Sequence, residues 1–264
     1  ARAERTRVAL FDFDGTLSLI RSGWMDVMVP MMVELLRETN SGETDEQLRG
    51  VVEEFVGRLT GKQTMYQMIE LAENIERRGG KPLGALEYKK MYLDRLWSTI
   101  EHRINELKRG ECSPEKYLVP GSRALLESLR ERGYKMYLAS GTDDVYMQEE
   151  ARLLDVHRYF DGVHGALDDY KSFSKAILIQ RIISSAEFSG DEFLGFGDGY
   201  VEIENVKQVG GVAVGVATEE PDCKVIDQWK RERLVGVGAD WIVPHFGDLP
   251  ELNAALFQSA AVKP

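Results

Sequence analysis

Residues 7–16 read Arg7-Val8-Ala9-Leu10-Phe11-Asp12-Phe13-Asp14-Gly15-Thr16, and this stretch decides the fold. An unbroken apolar run closed by a glycine suits a strand buried on both faces, the pattern of a parallel sheet. Residues i and i+2 of a strand share a face, so the carboxylates of Asp12 and Asp14 leave together from the strand's C-terminal end. In open α/β sheets that end is where ligands bind. Asp-x-Asp-Gly-Thr has two readings. It is either an Asx turn with Gly15 at positive φ, or a hard-cation site in which crowded carboxylates need a divalent ion or a proton between them.

Outward from this strand the text alternates. Helical periodicity over 122–132, 143–154, 174–185 and 222–234 is interleaved with strand-like runs at 134–139, 192–196, 211–216 and 241–243, and a last helix is expected over 248–257. Such alternation predicts an α/β fold built on a doubly wound parallel sheet. The rhythm breaks between Leu17 and Tyr117, where no strand pattern is visible. Apolar positions there recur at helical spacing, most clearly Leu93, Leu96, Trp97, Ile100, Ile104 and Leu107. A crossover between parallel strands needs only a dozen or so residues, so the excess predicts an inserted all-helical domain. We place the core at 1–17 and 117–264 and the insert at 18–116. Polar stretches at 39–46 and 79–84 are expected as loops between its helices.

Composition narrows the function. There are 33 Lys and Arg against 44 Asp and Glu, a net charge of −11. That charge argues against nucleic acid and anionic membranes as partners, because both require a basic face. Cys112 and Cys223 are the only cysteines, so no disulfide framework exists, and the usage fits a reducing, cytoplasmic setting. His102, His157, His164 and His245 fall in no zinc-binding pattern. The apolar stretch at 24–33 is broken by Asp26 and Pro30 and is too short to span a bilayer. No signal peptide is expected; the first residue is Ala1 rather than Met, which leaves open a longer parent chain.

Three further segments carry chemistry. Gly197-Asp198-Gly199-Tyr200-Val201-Glu202 follows an apolar strand and adds carboxylates at Asp198 and, one helical turn on, Glu202. They are read either as a metal site or as an N-cap and its dipole partner. Ser140-Gly141-Thr142 closes another strand, and hydroxyl and backbone N–H groups at the start of the next helix would cradle phosphate or cap that helix. Asp143 and Asp144 suit that helix's positive end. Lys175 opens the helix from Ala176 onward, with Lys171 as its rival four residues earlier.

Together and in this order, Asp-Phe-Asp-Gly-Thr, Ser-Gly-Thr, Ser-Lys-Ala-Ile-Leu-Ile-Gln and Gly-Asp-Gly-Tyr-Val-Glu resemble the haloacid dehalogenase superfamily. The resemblance is to its Mg²⁺-dependent phosphatases with a helical cap inserted after the first motif, such as the phosphoglycolate and phosphoserine phosphatases. It covers residues 8–16 and 120 to about 252; the cap carries no matching motif. The resemblance implies a Rossmann-like core and assigns roles. Asp12 would be the nucleophile, forming an aspartyl-phosphate, and Asp14 the proton donor and acceptor. Mg²⁺ would rest on Asp12, the carbonyl of Asp14, and Asp198, with Glu202 orienting metal-bound water. Gly15, Thr16, Ser140, Gly141 and Lys175 would hold the phosphoryl group.

The implied activity is hydrolysis of a small phosphorylated metabolite. Arg21, Trp24 and Lys62 are candidates for choosing it, Arg21 by pairing with a second anionic group on the substrate. A sugar phosphomutase and a non-catalytic binding or regulatory domain on the same fold are the alternatives. The substrate's identity and the oligomeric state are not legible in the sequence.

Overall fold

The structure is a computed structural model, and it describes residues 3–167, 174–185 and 188–257. Its centre is a six-stranded, all-parallel sheet in the order β3-β2-β1-β4-β5-β6. The strands are β1 (Val8–Phe11), β2 (Lys135–Asp143), β3 (Gly162–Ala166), β4 (Phe193–Gly197), β5 (Val212–Val216) and β6 (Trp241–Val243). Helices α5 (Ser122–Glu131), α6 (Asp144–Leu153), α7 (Lys175–Ser184), α8 (Tyr200–Gln208), α9 (Gln228–Gly236) and α10 (Leu249–Phe257) follow strands or connect them. Side chains of β1 alternate between two cores: Ala9 and Phe11 enter one, Val8 and Leu10 the other. On the first face Phe11 stacks on Phe196, with centroids 4.5 Å apart, and Phe246 meets Phe196 edge-on at 5.9 Å. Both faces of β1 are therefore covered, which is what its continuous apolar run requires.

Between β1 and α5 the chain forms four α-helices and no strand: α1 (Trp24–Arg37), α2 (Asp45–Leu59), α3 (Thr64–Arg77) and α4 (Ala85–Arg109). A capping box starts α2, where the Thr44 hydroxyl accepts from the Gln47 N–H and the Gln47 side chain accepts from the Thr44 N–H. The strands on either side of the insert are laced together as it leaves and returns. Leu19 N–H donates to the Tyr117 carbonyl at 2.8 Å and Val119 N–H to the Leu17 carbonyl at 2.9 Å.

Several local expectations are corrected. The buried face of α4 runs through Tyr88, Lys89, Tyr92, Leu96, Ile100, Ile104 and Leu107, whereas Trp97 is 42% exposed. Tyr92 and Lys89 are buried one turn earlier, on the side facing the sheet edge. The helix expected over 222–234 begins only at Gln228, because Thr218 and Ile226 form an antiparallel bridge that holds the preceding residues in a loop. Asp227 caps the helix by accepting from the Lys230 N–H. β3 had no strand signal: it is a half-exposed edge strand of Gly162, Val163, His164, Gly165 and Ala166, with no apolar run. Ser140-Gly141-Thr142 lies in β2, at a shift in its register against β3, and α6 begins only at Asp144. It is thus neither a helix N-terminus nor its cap. Asp198 likewise does not cap α8, whose N-cap is Gly199.

Candidate active site

Register brings the acidic residues together. Phe11 pairs with Leu138 on one side and Phe196 on the other, so Asp12, Ala139 and Gly197 stand level with one another. Ser140 and Asp198 extend one residue further. From β1 the order runs outward to β2 and β3 on one side and to β4, β5 and β6 on the other, so β1 and β4 flank the topological switch point. A cavity of about 90 Å³ opens there, between the sheet edge and the helical insert, lined by Asp12, Asp14, Ser140, Asp198, Trp24 and Lys62 among others.

Asp12 is buried, and Lys175 Nζ donates to its Oδ1 at 2.6 Å. The same ammonium meets Glu202, which is 1% exposed, in a close ion pair. Glu202 is walled in by glycines: a Cβ at Gly199 would lie 2.7 Å from its Oε2, and one at Gly61 3.0 Å away. Glu202 therefore faces Lys175 and fixes that lysine against the nucleophile candidate. Lys171 lies outside the described residues.

Asp14 sits differently. Its Oδ2 accepts from Ser140 Oγ at 3.1 Å and Thr142 Oγ1 at 2.8 Å, while Oδ1 is buried without a hydrogen-bond partner among the described residues. Burial, more than any neighbour, pushes its carboxyl up to about 6; Arg21 opposes that rise, as do the two hydroxyls, and Glu150 adds to it. A carboxyl poised there can both give and take a proton near neutrality.

Asp198 lies behind Gly15, which has φ +72°; a Cβ at Gly15 would sit 2.3 Å from Asp198 Oδ2. Thr16 does not face the cavity; its hydroxyl accepts from the Asp198 N–H at 2.9 Å and sets that loop. Burial raises the Asp198 carboxyl, Lys230 lowers it and Asp12 raises it again. Lys230 Nζ bridges Asp198 Oδ2 at 3.0 Å and Glu220 Oε1 at 2.7 Å. Asp12 thus bears electrostatically on Asp198, beside which Gly15 leaves open the space a Cβ would fill, and a small divalent cation fits such hard oxygen donors. Among the described residues no three His, Cys, Asp or Glu side chains converge on one point. A metal held here would rest on these two carboxylates and backbone oxygen.

The insert touches the sheet edge closely. A Cβ at Gly141 would lie 2.6 Å from the Lys62 carbonyl, and Lys89 on α4 pairs with Asp143 at the end of β2. Arg21 lines the cavity but is not free: it is buried in a bidentate pair with Glu150 of α6. Trp24 and Lys62 also line it. Glu150, Lys89 and Lys230 are not singled out by the sequence, and Thr142 is read there as part of a phosphate cradle or cap and not as a partner of Asp14. Glu150 alone left a signal, since it shares a helix face with Met147, Ala151 and Leu154, all buried.

The sequence matches the haloacid dehalogenase-like hydrolase family over residues 6–210. The chain belongs to this family. A curated 5'-nucleotidase of Pseudomonas aeruginosa is 27% identical over 122 residues, 46% of this chain; the chain spans about half the length of that relative (55%). Among solved structures, a predicted phosphoglycolate phosphatase from Haemophilus somnus 129pt aligns with a TM-score of 0.59 at 14% identity, covering 94% of this chain and 98% of that one. The L-2-haloacid dehalogenase of Xanthobacter autotrophicus aligns over 94% and 98% with a TM-score of 0.50 at 16% identity. Such likenesses establish the fold, and the residues at the sheet edge must decide the chemistry. Among the described residues no helix is long and apolar enough to cross a membrane.

Proposed function

We propose that the protein is a phosphomonoester hydrolase working through an aspartyl-phosphate. The observation that carries this reading is Asp14: a buried carboxyl raised to about 6, two residues beyond Asp12, with one oxygen that has no hydrogen-bond partner among the described residues. Displacing an alkoxide from phosphorus requires a proton for the leaving oxygen, whereas displacing a halide does not. Asp12 attacks phosphorus, the bond to the leaving oxygen breaks, and Asp14 gives that oxygen its proton. Asp14, now a carboxylate, takes a proton from water as the water oxygen attacks phosphorus. The Asp12–phosphorus bond then breaks, freeing inorganic phosphate and restoring both side chains. Lys175, fixed by Glu202, offsets negative charge on Asp12 and on the phosphoryl oxygens. Mg²⁺, on Asp12, the Asp14 carbonyl and Asp198, would neutralise phosphoryl oxygens.

Residues 18–116 act as a cap over the core at 1–17 and 117–264, excluding bulk water and shaping the leaving-group side of the pocket. The test is release of inorganic phosphate from a panel of phosphate monoesters with and without Mg²⁺. The proposal predicts turnover with Mg²⁺, loss on chelation and no rescue by zinc. Phosphoryl transfer between sugar hydroxyls without phosphate release would favour a mutase instead. No reaction on any ester, with metal supplied, would contradict both.

A further inference from the structure

Among the described residues three cationic side chains line the cavity: Arg21, Lys62 and Lys89. Two are already neutralised inside the protein. Arg21 donates from Nε to both carboxylate oxygens of Glu150 at 3.1 Å and from Nη2 to Oε1 at 2.7 Å, with side chains only 9% and 3% exposed. Tyr146 covers the guanidinium, its ring centroid 5.6 Å away. The Lys89 ammonium is held by Asp143. Lys62 is exposed at the rim, its ammonium 5.9 Å from the Tyr66 ring centroid. The rest of the insert's wall includes the apolar side chains of Trp24, Met28 and Leu93 and the uncharged Thr64 and Gln67.

We propose that this pocket selects a phosphate monoester whose leaving group is an uncharged alcohol with an apolar face, and that Glu150 sets the preference by neutralising Arg21. The proposal rests on the phosphomonoesterase reading above and names the substrate class for the same site. A carboxylate on the leaving group would gain from Arg21 only by displacing Glu150 from a bidentate, charge-assisted pair, or by sharing the guanidinium with it. Either route places two carboxylates around one buried cation, close to Asp14, in a molecule of net charge −11. An uncharged alcohol meets no such opposition, and its apolar face covers Trp24, Met28 and Leu93, removing apolar surface from water. Arg21 is then a fixed wall of the pocket, and Glu150, which acts through it, is a positioning residue for specificity.

Phosphate release is measured for the full chain with Mg²⁺ on benzyl phosphate, glycerol 1-phosphate and thymidine 5'-monophosphate, whose leaving groups are uncharged alcohols, and on phosphoglycolate and 3-phosphoglycerate, whose leaving groups carry a carboxylate. The expected result is a kcat/KM at least about tenfold higher for the best uncharged ester than for either carboxylate ester. Glu150→Gln keeps a hydrogen-bond acceptor for Arg21 but removes the charge. It is expected to lower KM for phosphoglycolate about tenfold relative to KM for glycerol 1-phosphate in the same variant, with the kcat ratio of the two esters little changed. Wild-type protein that prefers phosphoglycolate or 3-phosphoglycerate overturns the proposal, as does a Glu150→Gln variant that folds and leaves the KM ratio unmoved. Should that variant fail to fold, the wild-type ratio decides alone. Absence of phosphate release from all five esters would strike the phosphomonoesterase reading itself, whereas turnover with the wrong preference strikes only the substrate class.

Discussion

Asp12 and Asp14 stand two positions apart at one strand end, yet their partners fit them for opposite tasks. Asp12 accepts from the Lys175 ammonium at 2.6 Å, whereas Asp14 accepts from two hydroxyls and is raised by burial to about 6. Thr142 donates to Asp14 and so holds that carboxyl down. Thr142→Val removes the donor while keeping the shape, so the Asp14 carboxyl should rise. The basic limb of the kcat/KM profile should then move up by about one pH unit, the scale of one hydrogen bond to a charged group. An unmoved limb with altered rate would place the limiting proton on another group. Asp12, Asp14 and Asp198 were legible from the sequence because short motifs announce strand ends. Lys230 was not, because a lysine in the run Lys230-Arg231-Glu232-Arg233 gains meaning only when the fold sets it between Asp198 and Glu220. Arg21 was legible as a residue near the site, but its charge state toward a ligand was not, since its partner lies 129 residues away.

At the scale of elements, the insert's helices are joined by charges as well as by their apolar faces. Arg78, which ends α3, donates from Nε and Nη2 to the two carboxylate oxygens of Glu43, in the loop before α2. Those hydrogen bonds, with a further one from Ser41, hold the Glu43 carboxyl down to about 2 from an ordinary 4.5. A depressed carboxyl contributes stability that is present above its unfolded value and lost as pH falls through its folded value. Thermal melts of wild type and Arg78→Gln should therefore differ at pH 6, by on the order of 1 kcal/mol for a partly exposed pair, and converge as pH falls from 4.5 toward 2. A difference that persists unchanged to pH 2 would mean Arg78 acts by packing alone. Helical periodicity marked the insert as helical, and the α1–α2 and α3–α4 loops fall where polar runs had placed them. The phase of α4 was not plain. Trp97 looks like a stripe member by spacing but is exposed, and Leu93 is only partly buried, whereas Tyr88, Lys89 and Tyr92 are buried, Lys89 in its pair with Asp143 at the sheet edge. β3, half-exposed at the sheet's edge, lacked the apolar run by which a strand is recognised.

Across the whole molecule the insert and the sheet meet through two chain crossings that lie side by side. Arg103 of α4 braces one of them, donating from Nη1 to the Ile20 and Ser22 carbonyls at 2.9 Å and to that of Leu19 at 3.4 Å. Arg103→Ala removes this side-chain donor, although the Leu19 carbonyl still accepts from the Ser22 N–H. It should cost about 1–3 kcal/mol and speed amide exchange around residues 19–23 more than in β1, which hydrogen-exchange mass spectrometry can read. Uniform acceleration would show general loosening instead of a local brace. The doubly wound order of the sheet followed from alternation of strands and helices, and the inserted helices from its interruption. How tightly they close on the sheet, with Gly141 against Lys62 and Gly61 against Glu202, depends on contacts that no local pattern encodes.

The central claim is a covalent bond between Asp12 and the phosphoryl group, and rapid acid quenching during turnover tests it most directly. Peptide mass spectrometry of protein quenched with Mg²⁺ and a hydrolysed phosphate ester should find the mass of one phosphoryl group on the peptide containing Asp12. Hydroxylamine should remove it, as expected of an acyl phosphate, and Asp12→Asn, which keeps the shape but not the nucleophile, should show neither the adduct nor turnover. Near-wild-type turnover by Asp12→Asn, or steady turnover in wild type with the phosphoryl group found on another residue, would contradict the account.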